Sequence, residues 1–311
     1  MNLVLGGSGL VGSMLVHVHL NHGLPCLYPS SKELNLLNYT DVLEYFLRVK
    51  PRRVFLSAAK VGGIMANSQY PVPFIEDNLR IQLNVIRACY EAKVDKLMFL
   101  GSSCIYPRIC DQPMKEEYLL MGKLEPTNEY YAIAKIAGIK MCQAYNKEYG
   151  TNYISVIPPN VYGPRDHFGD LNSHVVPALI DKIHKAKVSN DSSIVIWGTG
   201  KACREFIYSE DLAEILLKVM DTYNSSEILN TGTGYDISVF DLVDLIARII
   251  GYKGEIKWDF TKPDGMPRKL VDSNRMHAIG IKSTVSLEDG LRKTYAWYLE
   301  NCAKMVYGEV K

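Results

Sequence analysis

The chain has 311 residues, of which 47% are hydrophobic, enough to form a sizeable core in one or two domains. Its 35 basic and 34 acidic side chains leave a net charge of +1, which gives no electrostatic reason to expect binding to nucleic acid or to an acidic membrane. Its apolar runs are shorter than the roughly 20 residues that a membrane span needs. We therefore expect no nucleic-acid or membrane partner. We also expect that any anionic ligand is held by a few local groups.

Up to about residue 159, short apolar runs alternate with longer segments of helical periodicity. The apolar runs lack polar alternation, which is typical of parallel strands buried on both faces; they are residues 2–5, 24–28, 54–57, 97–100 and 154–157. Helical segments lie between them, including one that ends before Gly23 and two at 74–92 and 131–149. Repeated β-α units predict an α/β fold of the Rossmann type, a doubly wound parallel sheet.

From about Tyr162 the sequence has more proline, glycine and asparagine and shorter elements, which favours a smaller C-terminal α/β domain for the substrate. Two polar segments, NVYGPRDHFGDLNSHV and TKPDGMPRKLVD, look like loops of the kind that hold substrates on a rigid sheet. We expect a cofactor domain formed by residues 1–161 and about 206–235. The substrate domain would then comprise about 162–205 and 236–311.

The first predicted strand leads directly into a glycine-rich loop that is followed by a helix. The glycines are spaced GxxGxxG, which allows a tight turn, close approach of a pyrophosphate and close packing of helix on strand. The helix N-terminus adds amide donors and a positive dipole. A plain tight turn is the alternative, but the strand–loop–helix context favours a dinucleotide site at Gly6, Gly7, Ser8, Gly9, Leu10, Val11 and Gly12.

The end of the second predicted strand indicates which dinucleotide is bound. NAD sites normally have a carboxylate there for the ribose hydroxyls, about 20 residues beyond the glycine loop. Here the strand is followed by Ser30, Ser31 and Lys32, with no carboxylate before Glu33. Hydroxyls and a cation suit a 2′-phosphate, so the sequence predicts NADP. Alternatively, the two serines only cap the next turn, which would still allow NADP.

A tyrosine and a lysine lie four residues apart at the start of the helix near 131–149. Tyr131 and Lys135 share a helix face, whereas the residue four beyond Tyr130 is Ala134. A phenol titrates near about 10, so a nearby ammonium is needed to stabilise its phenolate at neutral pH. Such a pair is often no more than an ordinary exposed helix pair, and its position after a strand ending in Ser102 supports a catalytic role.

The order of these motifs resembles the extended short-chain dehydrogenase/reductase superfamily. The order is glycine loop, strand ending in Ser102 and Ser103, YxxxK, and then a further strand followed by Asn160. The resemblance implies that Ser102 polarises a substrate carbonyl and that Tyr131 delivers a proton to its oxygen as hydride arrives at carbon. It also implies that Lys135 binds the nicotinamide ribose.

Further segments narrow the resemblance to the GDP-L-fucose synthase family: AAKVGGIMAN, GSSCIYP, LEPTNEYYAIAKIAGIK, SHVVPALI, WGTGKACREFIYSEDLA and KPDGMPRKL. They extend over nearly the whole chain. The resemblance implies the substrate GDP-4-keto-6-deoxy-D-mannose, epimerised at C3 and C5 and then reduced at C4 with NADPH. A related epimerase, dehydratase or reductase, or a catalytically silent dinucleotide sensor, is the alternative. A dehydratase would be expected to have Thr-Asp-Glu near positions 102–104, and a sensor would be expected to have lost the catalytic side chains.

Epimerisation beside a ketone needs two groups of near-neutral pKa on opposite sides of the sugar. Cysteine and histidine qualify, with ordinary values of about 8.5 and 6.5. The resemblance assigns Cys104, in GSSCIYP, as the base and His174 as the acid. Cys104 could instead be a small core residue, and His174 a neighbour of a helix N-cap.

The resemblance supplies the remaining ligand contacts. Beyond the glycine loop and the serines, it extends the cofactor site to Ser102, Ser103, Tyr131, Lys135, Pro158, Asn160, Val161 and His174. Pro159 departs from the family pattern, which has threonine there, and should adjust cofactor contacts rather than abolish activity. The GDP group would be held by Lys182, Trp197, Arg204 and Asp264. For Arg204 the alternative is a salt bridge with Glu205, Glu210 or Asp211.

Seven scattered cysteines without a CxxC pair favour a reducing compartment over a disulfide framework or a structural zinc. Met1 is followed almost at once by a strand-like segment, which leaves no room for a signal peptide. We therefore expect a cytoplasmic enzyme without a metal. Many relatives are homodimers that join the helices near 74–92 and 131–149 into a four-helix bundle, so a homodimer is expected.

Overall fold

The computed structural model describes residues 1–169, 173–262 and 265–303. Its first part contains β1 Asn2–Leu5, α1 Leu10–Asn21, β2 Cys26–Leu27, α2 Tyr39–Val49, β3 Arg53–Leu56, α3 Ile64–Gln69, α4 Pro71–Glu91, β4 Lys96–Leu100, α5 Glu129–Tyr149 and β5 Tyr153–Ile157. The rest contains β6 Asn160–Tyr162, α6 Val175–Val188, β7 Ser193–Trp197, β8 Cys203–Tyr208, α7 Ser209–Thr222, β9 Leu229–Asn230, β10 Asp236–Ser238, α8 Val239–Ile250, β11 Glu255–Asp259, β12 Arg268–Lys269, α9 Asn274–Ala278 and α10 Leu287–Tyr298. Within these described residues, no helix is long and apolar enough to cross a membrane.

A six-stranded parallel sheet in the order β2-β1-β3-β4-β5-β9 forms the centre of the molecule. The strand order reverses between β1 and β3, which pair in the register Leu3 to Val54. In open α/β sheets the ligand crevice lies at the carboxyl ends of the strands beside such a reversal. The predicted doubly wound α/β fold is confirmed.

Helices cover both faces of this sheet, and β1 shows why its sequence is apolar at successive positions. Leu3 and Leu5 belong to the core that includes residues of α2, α4 and α5. Val4 points to the opposite core, with residues of α1 and α7. All three side chains are at most 1% exposed. Because side chains alternate between faces, a strand buried on both sides must be apolar throughout.

A third core lies outside the sheet and brings together residues from α6, α8, α10, β7 and β8. Its fully buried members include Ile183, Leu242 and Ile246. The hydrophobic face of α8 reflects apolar residues three and four apart, and Ser238 caps that helix by accepting from the Asp241 amide. The division of the chain into the two domains expected from the sequence stays a prediction.

Three elements differ from the sequence predictions. β2 pairs with β1 only over Cys26 and Leu27, so it is shorter than the expected strand at 24–28; Pro29 soon after it has no amide for further pairing. The two polar segments expected to be loops contain β6 and β12, because both pair with β8. Such pairing depends on tertiary contacts that an apolar pattern does not reveal.

Candidate functional site

A cleft of about 660 Å³ runs along the carboxyl edge of the central sheet. It extends from the glycine loop after β1, past the residues that follow β3 and β4, to the first turn of α5 and to β12. Of the predicted site residues, the cleft is lined by Gly6, Ser8, Gly9, Leu10, Val11, Gly12, Ser31, Ser102, Ser103, Cys104, Tyr131, Lys135, Pro158, Asn160, Val161, His174 and Arg204.

The glycine loop is shaped by two glycines that no other residue could replace without strain. Gly6 has φ of +90°, in the region that favours glycine. A Cβ at Gly12 would lie 2.0 Å from the Gly6 carbonyl oxygen, so α1 approaches β1 as closely as it does only without a side chain there. Gly9 precedes α1 and has no side chain to cap the free amides of the first turn. These amides are available to an anionic ligand.

The segment after β2 is only partly in the cleft. Ser31 lines it, whereas the described lining does not include Gly7, Ser30 or Lys32. The backbone amide and the hydroxyl of Ser30 each donate to a Glu33 carboxylate oxygen at 2.8 Å. These bonds lower the pKa of Glu33. Ser30 thus closes a local turn, as the alternative interpretation held, and cofactor roles for Gly7, Ser30 and Lys32 stay predictions.

Ser102 and Cys104 meet where β4 ends. The chain turns there into a short 3₁₀ helix, Ser103–Ile105, and Ser102 caps it by accepting from the Cys104 amide at 3.4 Å. The same hydroxyl lies 3.0 Å from the Cys104 sulfur. Cys104 is partly exposed in the cleft, so it is not the fully buried core residue that the sequence left open.

The Tyr131–Lys135 pair lies on the cleft side of α5. Lys135 is 4% exposed, and its ammonium donates to the Leu100 carbonyl at 2.7 Å. Burial lowers the pKa of Lys135 to about 8. The pair is therefore not an ordinary exposed helix pair.

Tyr131 is held as a neutral phenol. Burial raises the pKa of Tyr131 well above its ordinary value of 10, and the nearby Cys104 adds to this, while a hydrogen bond with the Ser102 side chain opposes it. Lys135, whose ammonium lies 5.8 Å from the centre of the Tyr131 ring, does not overcome the effect of burial. The arrangement favours a tyrosine that donates a proton over one that exists as phenolate at rest.

His174 enters the same cleft from the N-terminus of α6, where it is the N-cap residue. Its side chain is 44% exposed, and its Nδ1 lies 3.9 Å from a carboxylate oxygen of Asp166. The Asp166 side chain is 3% exposed and accepts from the His167 amide at 2.9 Å. The Asp166 carboxylate therefore lies beside the imidazole of His174 at the start of α6.

The predicted GDP contacts are only partly gathered at this cleft. Arg204 lines it, and the three carboxylates that could have held Arg204 have other partners: Glu205 accepts from backbone amides, Glu210 pairs with Lys293, and Asp211 accepts from Ser283. Trp197 is 58% exposed and has the Lys262 ammonium 5.4 Å from its ring. Lys182 is also exposed. Asp264 lies outside the described residues.

Two residues at the site were missed by the sequence argument. Lys269, in β12, places its ammonium 4.0 Å from the Cys104 sulfur. Asp166 pairs with His174 as described. Both lie in the two segments that the sequence predicted to be polar loops. The partner of Lys269, Cys104, is remote in the chain, and the partner of Asp166, His174, lies at the start of α6. Only the fold brings them together.

Comparison with known proteins identifies the family of this chain. A model of the NAD dependent epimerase/dehydratase family matches residues 2–232. GDP-L-fucose synthase 1 of Arabidopsis thaliana is 49% identical over 96% of this chain and 93% of its own. The structure of a GDP-6-OMe-4-keto-L-xylo-heptose reductase from C. jejuni has a TM-score of 0.90 and 34% identity, covering 96% of this chain and 97% of its own. The NADP-bound structure of a GDP-L-fucose synthetase from Naegleria fowleri has a TM-score of 0.89 and 28% identity, covering 96% of this chain and 94% of its own. The chain therefore belongs to the NAD-dependent epimerase/dehydratase family and, within it, to the GDP-L-fucose synthases.

Proposed function

We propose that the chain converts GDP-4-keto-6-deoxy-D-mannose into GDP-L-fucose, first by epimerisation at C3 and C5 and then by NADPH-dependent reduction at C4. The observation that carries the proposal is the convergence of a thiol, a phenol and an imidazole on one cleft, from Cys104, Tyr131 and His174. A ketone bound among these groups would have both kinds of chemistry within reach.

In the epimerisation, the reacting protons lie on the carbons beside the ketone. The thiolate of Cys104 removes such a proton, forming an S–H bond, and the electron pair of the broken C–H bond moves onto the C4 oxygen as an enolate. The hydroxyls of Ser102 and Tyr131 donate to this oxygen and stabilise its charge. His174 then returns a proton to the carbon from the other side and inverts its configuration. Cys104 then gives its proton to solvent and His174 takes one from solvent, which restores both groups, and the cycle occurs once at each of the two carbons.

In the reduction, the task of the protein is to place a proton on the C4 oxygen. NADPH, when bound, supplies the hydride that arrives at C4. Tyr131 is suited to give the proton because burial keeps its phenol neutral. The Lys135 ammonium, 5.8 Å from the Tyr131 ring, stabilises the phenolate that is left. The hydrogen bond from Lys135 to the Leu100 carbonyl keeps its ammonium in this place.

The described residues fit a dinucleotide of this kind. The loop from Gly6 to Gly12 leaves room for a pyrophosphate at the start of α1, and Ser31 lines the adjoining part of the cleft. NADP in the Naegleria relative supports the choice of cofactor. We assign the 2′-phosphate to Ser31 and Lys32, with Ser30 holding their turn through Glu33.

The GDP group is assigned to the edge of the third core beside the cleft. Arg204 offers a planar fork for phosphate oxygens, Lys182 a point charge, and Trp197 an exposed ring on which a base can stack. Asp264 is assigned to a hydroxyl or base contact by family resemblance. This would make the third core the substrate-binding part of a two-domain chain.

We further propose a cytoplasmic homodimer. The exposed surfaces of α4 and α5 carry large apolar side chains, among them Leu83 at 51% and Ile133 at 40% exposure. Tyr90 and Tyr149, with ring centres 4.5 Å apart, add an exposed aromatic pair from the same two helices. A second copy of α4 and α5 would cover these side chains in a four-helix bundle.

A second candidate function is 4-keto reduction of a GDP-sugar without epimerisation. The named activity of the C. jejuni relative, a heptose reductase at 34% identity, favours it. Such an enzyme would need the Ser102–Tyr131–Lys135 set but would have no use for the thiol of Cys104. A silent dinucleotide sensor is disfavoured because all these side chains are present and line one cleft.

One experiment separates these functions. The protein is incubated with GDP-4-keto-6-deoxy-D-mannose and NADPH in heavy water, and the product is examined by NMR for deuterium. We expect deuterium at C3 and C5, little of it with Cys104→Ser, and normal exchange with the matched control Cys110→Ser, whose thiol instead contacts the Pro107 carbonyl. Reduction without deuterium would favour the plain reductase, and normal exchange by Cys104→Ser would remove the thiol from the mechanism.

A further inference from the structure

We infer that Lys269 is a positioning residue for the epimerisation, which acts by holding Cys104 as the thiolate. The inference rests on the proposed function, because a thiolate base is needed only if the chain epimerises its substrate. It adds Lys269, a residue of β12 that lines the cleft, to the site residues predicted from the sequence.

The primary observation is the contact itself. The Lys269 ammonium lies 4.0 Å from the Cys104 sulfur, at the outer limit for an N–H that donates to sulfur. Lys269 is partly buried and lines the cleft. Among the residues that the structure describes, the lysines that form ion pairs with carboxylates are Lys185, Lys257 and Lys293, and Lys269 is not one of them. Its charge is therefore directed toward the thiol rather than neutralised nearby.

The backbone around Lys269 is held firmly, so the contact does not depend on a loose loop. In β12, Lys269 pairs in register with Arg204 of β8. The Cys203 amide donates to the Pro267 carbonyl at 2.8 Å, and the Leu270 amide donates to the Gln112 side chain at 3.0 Å. The last of these bonds ties β12 to the chain segment that follows GSSCIYP. The ammonium and the thiol are thus carried on connected parts of the structure.

Other titratable groups face Cys104 from α5. Tyr131 is neutral because burial raises its pKa, so it contributes no charge at rest. Lys135 also interacts electrostatically with Cys104, but its ammonium donates to the Leu100 carbonyl and serves the tyrosine. Arg204 and His174 line the same cleft, and the GDP group and Asp166 are their assigned partners. Among the cations in the described part of the chain, Lys269 is the one whose ammonium lies within hydrogen-bond distance of the sulfur.

A cation at this distance favours a thiolate over a thiol by an amount that depends on local solvent. For a partly exposed pair we expect a shift of about one pH unit in the ionisation of the thiol when the charge is removed. Near pH 7, where most of an ordinary thiol is protonated, that shift lowers the thiolate population about tenfold.

The test compares Lys269→Met with Lys269→Arg, using Arg268→Met as a control. Arg268 is the neighbour of Lys269 in β12, but it pairs with Asp236 and is absent from the described cleft lining. Iodoacetamide labelling of Cys104 is followed by peptide mass spectrometry across a pH series without cofactor or substrate, with Cys302 as an internal reference. Deuterium exchange into the substrate is measured over the same pH range.

We expect Lys269→Met to move the labelling midpoint of Cys104 up by about one pH unit and to slow exchange about tenfold near pH 7. Exchange should recover at higher pH, which a merely structural loss would not allow. Lys269→Arg should restore most of the labelling midpoint and most of the exchange rate. Arg268→Met should match the unsubstituted protein in both measurements. An unchanged labelling midpoint in Lys269→Met overturns the inference. Failure of the unsubstituted protein to exchange deuterium would instead count against the proposed function.

Discussion

Replacing Lys135 by methionine should stabilise the fold at neutral pH while it abolishes reduction. Lys135 is 4% exposed, and burial lowers its pKa from 10.5 to about 8. At about 1.4 kcal/mol per pH unit, keeping this ammonium charged in the folded state costs about 3 kcal/mol. Methionine has a similar length and no charge, so it removes that cost.

The gain is reduced by the hydrogen bond that is lost. Lys135 donates to one described acceptor, the Leu100 carbonyl. Leaving one buried carbonyl without this donor costs roughly 1 kcal/mol. We therefore expect Lys135→Met to increase the free energy of unfolding by about 2 kcal/mol near pH 7, measured by urea denaturation without cofactor.

The pH dependence gives the sign of the effect. The folded state holds the Lys135 proton less tightly than the unfolded state does. The destabilisation that the charged ammonium causes is therefore complete below about pH 8 and disappears as the pH rises toward 10.5. The net advantage of the methionine variant should therefore fall close to zero at about pH 9.5, and at higher pH the lost hydrogen bond should leave the variant roughly 1 kcal/mol less stable than the unsubstituted protein. A variant that is less stable than the unsubstituted protein at pH 7, with a difference independent of pH, would refute the argument.

Lys96 provides a comparison with the same change in pKa but different bonding. Burial also lowers the pKa of Lys96 to about 8. Its ammonium, however, donates to the carbonyls of Met220 and Tyr223 at 2.6 Å and to the Asn224 side chain at 2.9 Å. Lys96→Met removes the donor from two buried carbonyls, while the Asn224 side chain keeps a donor from Asn152. Its free energy of unfolding should therefore lie at least about 1 kcal/mol below that of Lys135→Met.

Three other predictions concern the cofactor, the proton donor and the assembly. Gly12→Ala places a methyl group 2.0 Å from the Gly6 carbonyl, so NADPH affinity, measured by fluorescence titration, should fall at least about tenfold; unchanged affinity would place the cofactor elsewhere. Tyr131→Phe should slow NADPH oxidation by about 100-fold or more, while deuterium exchange at C3 and C5 continues; loss of both would mean that the two reactions are not separable. The double substitution Leu83→Arg and Ile133→Arg should convert a dimer into a monomer in sedimentation, and an unchanged mass would exclude the α4–α5 surface as the interface.

The sequence predicted the central sheet well because burial on both faces makes each strand continuously apolar. The expected strand 2–5 coincides with β1, and those near 54, 97 and 154 begin one residue earlier in the structure, at Arg53, Lys96 and Tyr153. Helix α4 begins at Pro71, three residues before the expected start, because proline is favoured in the first helical turn. The local pattern of apolar residues was sufficient to predict these elements because burial of neighbouring residues determines them.

The same reasoning failed where an element exists only through its partner. β6 and β12 are only three and two residues long, and each forms by pairing with β8. The contact between Lys269 and Cys104 depends on that pairing, since 165 residues separate the two in the chain. Motif resemblance named Cys104, Tyr131 and Lys135, but no spacing rule could have joined Lys269 to them.

The residues that complete the cleft come from beyond the part of the chain that the epimerase/dehydratase model matches. That model ends at residue 232, whereas Gly265, Met266 and Lys269 line the cleft next to Arg204. The matched part contains the glycine loop and the Tyr131–Lys135 pair, which dinucleotide chemistry needs whatever the sugar. If Lys269 keeps Cys104 ionised, then β12 supports an epimerisation whose proposed base and acid, Cys104 and His174, lie in the matched part together with the reduction set. Substitutions in β12 should therefore alter deuterium exchange before they alter hydride transfer, because Lys269 contacts the sulfur of Cys104 rather than the Tyr131–Lys135 pair.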